Sequence, residues 1–207
     1  MSGASAAAAI VLAAGRGTRF GESPKLLAEL DGKPLVRHAV DVALAAGLQT
    51  LVVVGHREPD VRAALRDLAV TFVPNPAFAD GLSTSLKAGF AALPRSAEAA
   101  IVLLGDMPRI SADLLRREVA AWIEGKPAAV IPVAGGRRGN PVLLSRTLWP
   151  EIARLTGDAG AGPLLRDRAD VLELPVTDAA VTLDVDTPAA LRKAQAWAKT
   201  TPSSTAE

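Results

Sequence analysis

The run Ala8-Ala-Ile-Val-Leu-Ala-Ala14 and the loop it enters, from Gly15 to Lys25, constrain this chain more than any other stretch. Seven apolar residues without a polar interruption read as a strand buried on both faces of a parallel sheet. The loop carries glycines at 15, 17 and 21, which let backbone N–H groups converge on one point and let a bulky anion come close. Arg16, Arg19 and Lys25 surround that point with positive charge. Opposed unit charges ~4 Å apart are worth ~4 kcal/mol at an effective dielectric of about 20, so such a loop suits phosphate groups. Taken alone, the stretch also fits a glycine-rich surface turn with solvated charges.

Two familiar phosphate loops do not fit. There is no Gly-Lys-Ser/Thr triplet, which a P-loop requires. A dinucleotide fingerprint needs Gly-x-Gly-x-x-Gly opening a helix and an acid at the end of the next strand. Here the third glycine comes one place late, Pro24 interrupts the would-be helix, and the next strand, 50–54, runs into Gly55-His56.

Downstream, short apolar runs alternate with helical patterns of ten to fifteen residues. Strands are predicted at 50–54, 70–73, 99–104, 128–133, 142–144 and 171–174. Helices are predicted after Pro34, over 58–68, over 86–93, after Ser111, over 147–155 and after Thr187-Pro188. The run from Val181 to Asp186 alternates like a strand. This pattern predicts βαβ units in a three-layer α/β/α sandwich, Rossmann-like and mostly parallel. The piece after the Gly135–Pro141 turn is expected to return antiparallel. With 207 residues and no linker, one domain is expected over 1–199, with a disordered polar tail at 200–207.

Composition excludes several classes. Twenty-three basic against 22 acidic residues leave a net charge of +1, which provides no general field for nucleic acid or an anionic membrane. Without cysteine there is no thiolate nucleophile or thiolate metal site. No segment reaches ~18 uninterrupted apolar residues, and the N-terminus lacks the basic start of a signal peptide, so a cytoplasmic protein is expected.

In open parallel sheets, ligands bind outside the carboxyl ends of the strands. The glycine loop, Asn75 and Asp106 all follow strands and fall on that edge. Asp106, one residue past an apolar strand, and Asp186, before a helix start, are hard oxygen ligands of the kind magnesium takes. Each also has an ordinary reading, as a solvated aspartate or as a helix-terminal acid favoured by the dipole.

Several segments together resemble a known family. Leu12-Ala-Ala-Gly15-x-Gly17-x-Arg19-x-Gly21-x-x-x-Lys25 and the following Asp31-Gly-Lys-Pro-Leu35 resemble the signature of the nucleotidyltransferases that activate sugars and cofactors. Leu103-Leu-Gly-Asp106-Met-Pro108, Asp184-Val-Asp186-Thr-Pro188 and Gly81-Leu-Ser83-Thr-Ser85-Leu86 narrow the resemblance to the molybdenum cofactor cytidylyltransferases, a MobA-like branch of that superfamily.

The resemblance implies that Leu12, Ala13, Ala14, Gly15, Gly17, Arg19, Lys25, Gly81, Ser83 and Ser85 surround the nucleotide; Asn75, by its place after a strand, is a further candidate there, or a turn residue between two prolines. It implies that Asp106 and Asp186 hold Mg²⁺, and that Lys25, Arg19 and Asp106 are catalytic. Arg137-Arg138-Gly-Asn140-Pro and Thr156-Gly-Asp158-x-Gly-Ala161 match segments that face the pterin, which implies acceptor contacts from Arg138, Asn140 and Asp158. Gly162 departs from the family, which has arginine there.

The implied reaction is transfer of CMP from CTP to the phosphate of molybdenum-bearing molybdopterin, with pyrophosphate released and a molybdoenzyme as eventual client. Two alternatives stay open: a sister transferase using GTP or another phosphorylated acceptor, and a non-catalytic pterin carrier.

Overall fold

The computed structural model describes residues 6–17, 20 and 24–197. Arg19 and the tail at 200–207 lie outside them.

Alternation along the first strand, β1 (Ala7–Ala13), decides the layering. Ala7, Ala9, Val11 and Ala13 belong to one buried cluster, and Ala8, Ile10, Leu12 and the following Ala14 to another. Successive strand side chains point to opposite faces, so a strand buried along its whole length must be covered on both.

A short hairpin follows, β2 (Glu29–Leu30) with β3 (Lys33–Pro34), and then α1 (Leu35–Ala45). The succeeding elements are β4 (Gln49–Val54), α2 (Glu58–Ala64), β5 (Thr71–Pro74), α3 (Leu82–Ala91), β6 (Ala99–Leu104) and α4 (Ala112–Gly125). The last part of the chain forms β7 (Ala129–Ala134), β8 (Arg137–Arg138), β9 (Val142–Ser145), α5 (Trp149–Ile152), α6 (Gly162–Leu165), β10 (Val171–Pro175) and α7 (Pro188–Trp197).

The main sheet has the order β10-β7-β9-β6-β1-β4-β5, with β8 paired to the end of β7. β6, β1, β4 and β5 are mutually parallel, β10 is parallel to β7, and β9 runs antiparallel to both β6 and β7. This is the expected three-layer α/β/α sandwich, with its antiparallel part at the predicted place. Apolar residues of α1, α2 and α4 cover the face of Val11, and those of α3, α5 and α6 cover the face of Ile10. α7 does not extend either layer: Ala194 joins Phe20, Leu30, Leu35 and Val185 in a third small cluster.

Three local predictions are corrected. The alternating run 181–186 is not a strand. It is a 3-10 turn over Ala179–Thr182, capped by Asp178, followed by extended chain. Its backbone makes scattered single bonds, Asn140 N to Val181 O and Val185 N to Asp106 O, instead of a ladder. The helix predicted from Leu86 begins four residues earlier, because Gly81 supplies the break at φ 109° and the Thr84 hydroxyl bonds Gly81 O. The segment 147–155 divides into a 3-10 turn, Arg146–Leu148, and the four-residue α5.

One buried acid in α4 makes a stability prediction. Glu118 is fully buried and neither carboxylate oxygen has a hydrogen-bond partner. Desolvation raises its pKa well above the usual carboxylate range, against a smaller opposing pull from Arg117. The folded state therefore keeps a proton that the unfolded chain releases above about pH 4.5. Stability from this group is complete below that pH and declines as pH rises toward the folded value, by up to ~1.4 kcal/mol per unit. Glu118→Gln, unfolded with urea at pH 5 and pH 8, is expected to gain stability over the parent at pH 8 more than at pH 5. An equal difference at both values would contradict a protonated Glu118.

Candidate active site

The parallel strands aim their carboxyl ends at one edge, and the glycine loop after β1 lies on it. Gly17 has φ +60°, and a Cβ there would stand 2.9 Å from Lys25 Cβ, so this position must be glycine for the loop to close over Lys25. Lys25 opens a 3-10 turn, Lys25–Leu27, that returns the chain toward β1. β6 ends at Leu104, Gly105 N donates to Leu12 O at 3.1 Å, and the chain turns there into Asp106.

The ammonium of Lys25 donates to Asp106 Oδ2 and, at 2.6 Å, to Asp186 Oδ1. These groups come from positions 25, 106 and 186. A backbone bond helps to hold them in place: Val185 N donates to Asp106 O at 3.0 Å, and the Val185 side chain is buried beneath α7. Burial alone would lower the pKa of Lys25, but the adjacent Asp106 and Asp186 charges and hydrogen bonds outweigh it, so the amine stays protonated above its ordinary value. Asp184 stands close by. Desolvation, and then the Asp186 carboxylate, push its pKa above the ordinary carboxylate value.

This cluster forms one end of a cavity of about 500 Å³. Of the predicted nucleotide residues, Leu12, Ala14, Gly15, Gly17, Lys25, Gly81 and Ser85 line it. Ala13, Asn75 and Ser83 do not. Ala13 points into the opposite core layer. Asn75 is buried with its polar atoms engaged within the chain, Nδ2 donating to Thr84 Oγ1 and Ser85 Oγ and Oδ1 accepting from Ala77 N. It positions Ser85 and the loop before α3. Ser83 is fully buried, with a hydroxyl that has no partner.

A second cavity, about 330 Å³, shares the walls Leu12, Leu82 and Leu104 with the first. Leu86, Val102, Ile131, Val142 and Leu165 make it mostly apolar, and Asn140 and Arg138 lie on its border. The Arg138 guanidinium is committed to Glu173 and to Leu165 O. Asp158, expected with this pair, lines the first cavity instead, because Ser83 N bonds Gly157 O and straps the loop onto the start of α3. The sequence reading had not selected Asp184, Phe78 or Leu82. Asp184 stands within the Asp-Val-Asp triplet and Leu82 within the Gly81–Leu86 segment, whereas nothing in the local sequence distinguishes Phe78.

The donor set suits a hard divalent cation. Asp106 Oδ1 is buried and has no hydrogen-bond partner. Asp106 and Asp186 offer carboxylate oxygens on one wall of a cavity wide enough for phosphates. Among the described residues no three acidic or histidine side chains gather as a complete metal cage. Magnesium at a nucleotide site needs no such cage, since a few carboxylates suffice and phosphate oxygens and water complete the shell.

Known proteins share this fold. The Rv0371c protein of Mycobacterium tuberculosis superposes with a TM-score of 0.82 at 30% identity, over 93% of this chain and 99% of that one. A structure of that relative is a manganese complex. A nucleotidyl transferase from Methanothermobacter superposes at 0.81 with 27% identity, over 94% and 99% of the two chains. Nicotine blue oxidoreductase of Paenarthrobacter nicotinovorans is 31% identical over 186 residues, 86% of this chain and 91% of its own. Residues 9–174 match the MobA-like NTP transferase domain, a span that contains the glycine loop, Lys25 and Asp106, and on that match the chain belongs to the MobA-like family of nucleotidyltransferases.

Proposed function

We propose that the protein transfers CMP from CTP to the phosphate of molybdenum-bearing molybdopterin, in a reaction that depends on Mg²⁺. The observation that carries the reading is the placement of Lys25 between Asp106 and Asp186 on the wall of the cavity that the Gly15–Gly17 turn closes.

An oxygen of the acceptor phosphate attacks the α-phosphorus, a P–O bond forms, the bond to the β-phosphate breaks, and pyrophosphate leaves with its electrons. This chemistry needs alignment and charge neutralisation more than a covalent enzyme intermediate. Asp106 and Asp186 would hold the metal, which would supply positive charge to offset the negative charge that builds on the phosphate oxygens. The Lys25 ammonium and the amides of the Gly15–Gly17 turn stabilise the departing pyrophosphate, with Arg19 as a further cation. Ser85 and Gly81 lie along the nucleotide. The apolar second cavity receives the body of the acceptor, with Asn140 and Arg138 at its border and Asp158 facing the nucleotide side.

Pyrophosphate release, measured with each of the four nucleoside triphosphates with and without molybdopterin, tests this. CTP with molybdopterin is expected to support turnover. GTP in its place would select the sister transferase, and tight pterin binding without pyrophosphate would select a carrier.

The name of the Paenarthrobacter relative favours a second reading, oxidation or reduction of a substrate held in the apolar cavity. Against it, β4 ends at Val54 and runs into Gly55-His56, with no acid to hold a ribose as dinucleotide sites do. Steady oxidation of a reduced nicotinamide nucleotide, without pyrophosphate release, would establish it.

A further inference from the structure

The chain has few aromatic residues, four phenylalanines, three tryptophans and no tyrosine. Among the described residues lining the larger cavity, Phe78 is the one aromatic side chain. It opens the 3-10 turn Phe78–Asp80, which Asn75 fixes: Asn75 N donates to Val54 O at 2.7 Å, and Phe78 N donates to Asn75 O at 3.3 Å. Its ring is half-buried, and the space beneath it depends on Gly55. A Cβ at Gly55 would stand 2.8 Å from Phe78 Cβ and 2.9 Å from the ring. The Arg16 guanidinium lies over the ring, 5.7 Å from its centroid, and the His56 ring is 6.0 Å away, tilted by 47°. Among the described residues Arg16 has no ion-pair partner, so its charge is available at the cavity wall. β5, which leads to this turn, is three strands from β6, which leads to Asp106. At ~4.8 Å per strand the turn that carries the ring sits about 14 Å along the edge from Asp106.

We propose that Phe78, with Arg16 beside it, is the stacking wall for the nucleobase, a specificity-determining contact for a planar heteroaromatic ring. The inference deepens the nucleotidyltransferase reading and rests on it. A greasy wall alone would serve as well with leucine, and a phosphate site would place a cation without an aromatic ring. A fixed, half-exposed phenyl ring flanked by a guanidinium suits the π-face that every base presents. Stacking of this kind contributes affinity and is tolerant of base identity, so the choice between cytosine and guanine falls to polar groups around Gly81 and Ser85.

The test separates the base from the phosphates. Dissociation constants are measured for CTP, GTP and inorganic tripolyphosphate, with Mn²⁺ present, for the parent protein and for Phe78→Leu. Phe78→Leu keeps an apolar side chain over Gly55. It is expected to weaken both nucleotides about tenfold or more while tripolyphosphate changes less than about twofold. In Phe78→Trp, the introduced indole is expected to be quenched by nucleotide beyond any change seen in the parent, and to be unaffected by tripolyphosphate. Equal weakening of all three ligands, unchanged nucleotide binding in Phe78→Leu, or an indole that does not respond to nucleotide would each overturn the stacking wall and leave the transferase reading in place. A parent protein that binds tripolyphosphate but no nucleotide would overturn the transferase reading, and the stack with it.

Discussion

Asp106→Ala is expected to lower turnover at least about 100-fold while leaving the protein folded, with Lys25→Ala falling in the same range. Each substitution removes a charge that is already in place before any substrate arrives. Asp106 follows a core strand, and its backbone is tied to Val185, so its carboxylate does not have to be organised at the moment of reaction. Lys25 sits between two acids, so losing Asp106 also removes one partner of a partly buried ammonium.

Because the two groups act as a unit, the double variant is expected to be little worse than the poorer single one. Steady-state pyrophosphate release beside a thermal melt checks this. A near-normal rate for Asp106→Ala in excess Mg²⁺ would remove its assignment, and strictly additive losses would show that the two groups act independently.

The second large effect lies at Gly81. Its φ is +109°, and a Cβ there would approach Gly157 C to 2.3 Å, Gly157 O to 2.4 Å and Asp158 N to 2.7 Å. All three are backbone atoms, so no side chain can swing aside. Gly81→Ala is therefore expected to cost about 2–3 kcal/mol through backbone strain and displacement of the 157–158 strap. The same displacement moves Asp158 on the cavity wall, so the KM for nucleotide is expected to rise in whatever fraction remains folded. Gly162→Ala is the control. It has open space around the new methyl group and no positive φ, so it is expected to stay within about 0.5 kcal/mol of the parent in urea unfolding. Equal stability of the two variants would show that the strap can yield.

The parts that were legible in the sequence were those set by local pattern. An uninterrupted apolar run predicts a buried strand whatever lies around it, and 99–104 is a strand over the predicted span. The loop was legible for a similar reason: glycines clustered after a strand, with lysine at the far end, describe a turn open to a ligand, and Gly15, Gly17 and Lys25 line the larger cavity. The alternating run at 181–186 misled, because period-two spacing marks alternate sides of an extended chain and says nothing of whether a strand edge is free to pair. Asn75 stood in the right loop, but its amide turned inward once Thr84 and Ser85 came within reach, which spacing along one strand end does not reveal.

The sequence by itself determined the layering, the strand-end loops and the identity of the charged groups, since these follow from hydrophobic periodicity and residue chemistry within a few positions. The tertiary structure alone decided that Lys25 meets Asp106 and Asp186, that Phe78 stands at the wall of the larger cavity, and that an apolar chamber adjoins that cavity. Lys25 meets residues 81 and 161 positions away in the chain. These meetings are set by which strands neighbour one another and by how α7 pins Val185, properties of packing that no local pattern encodes.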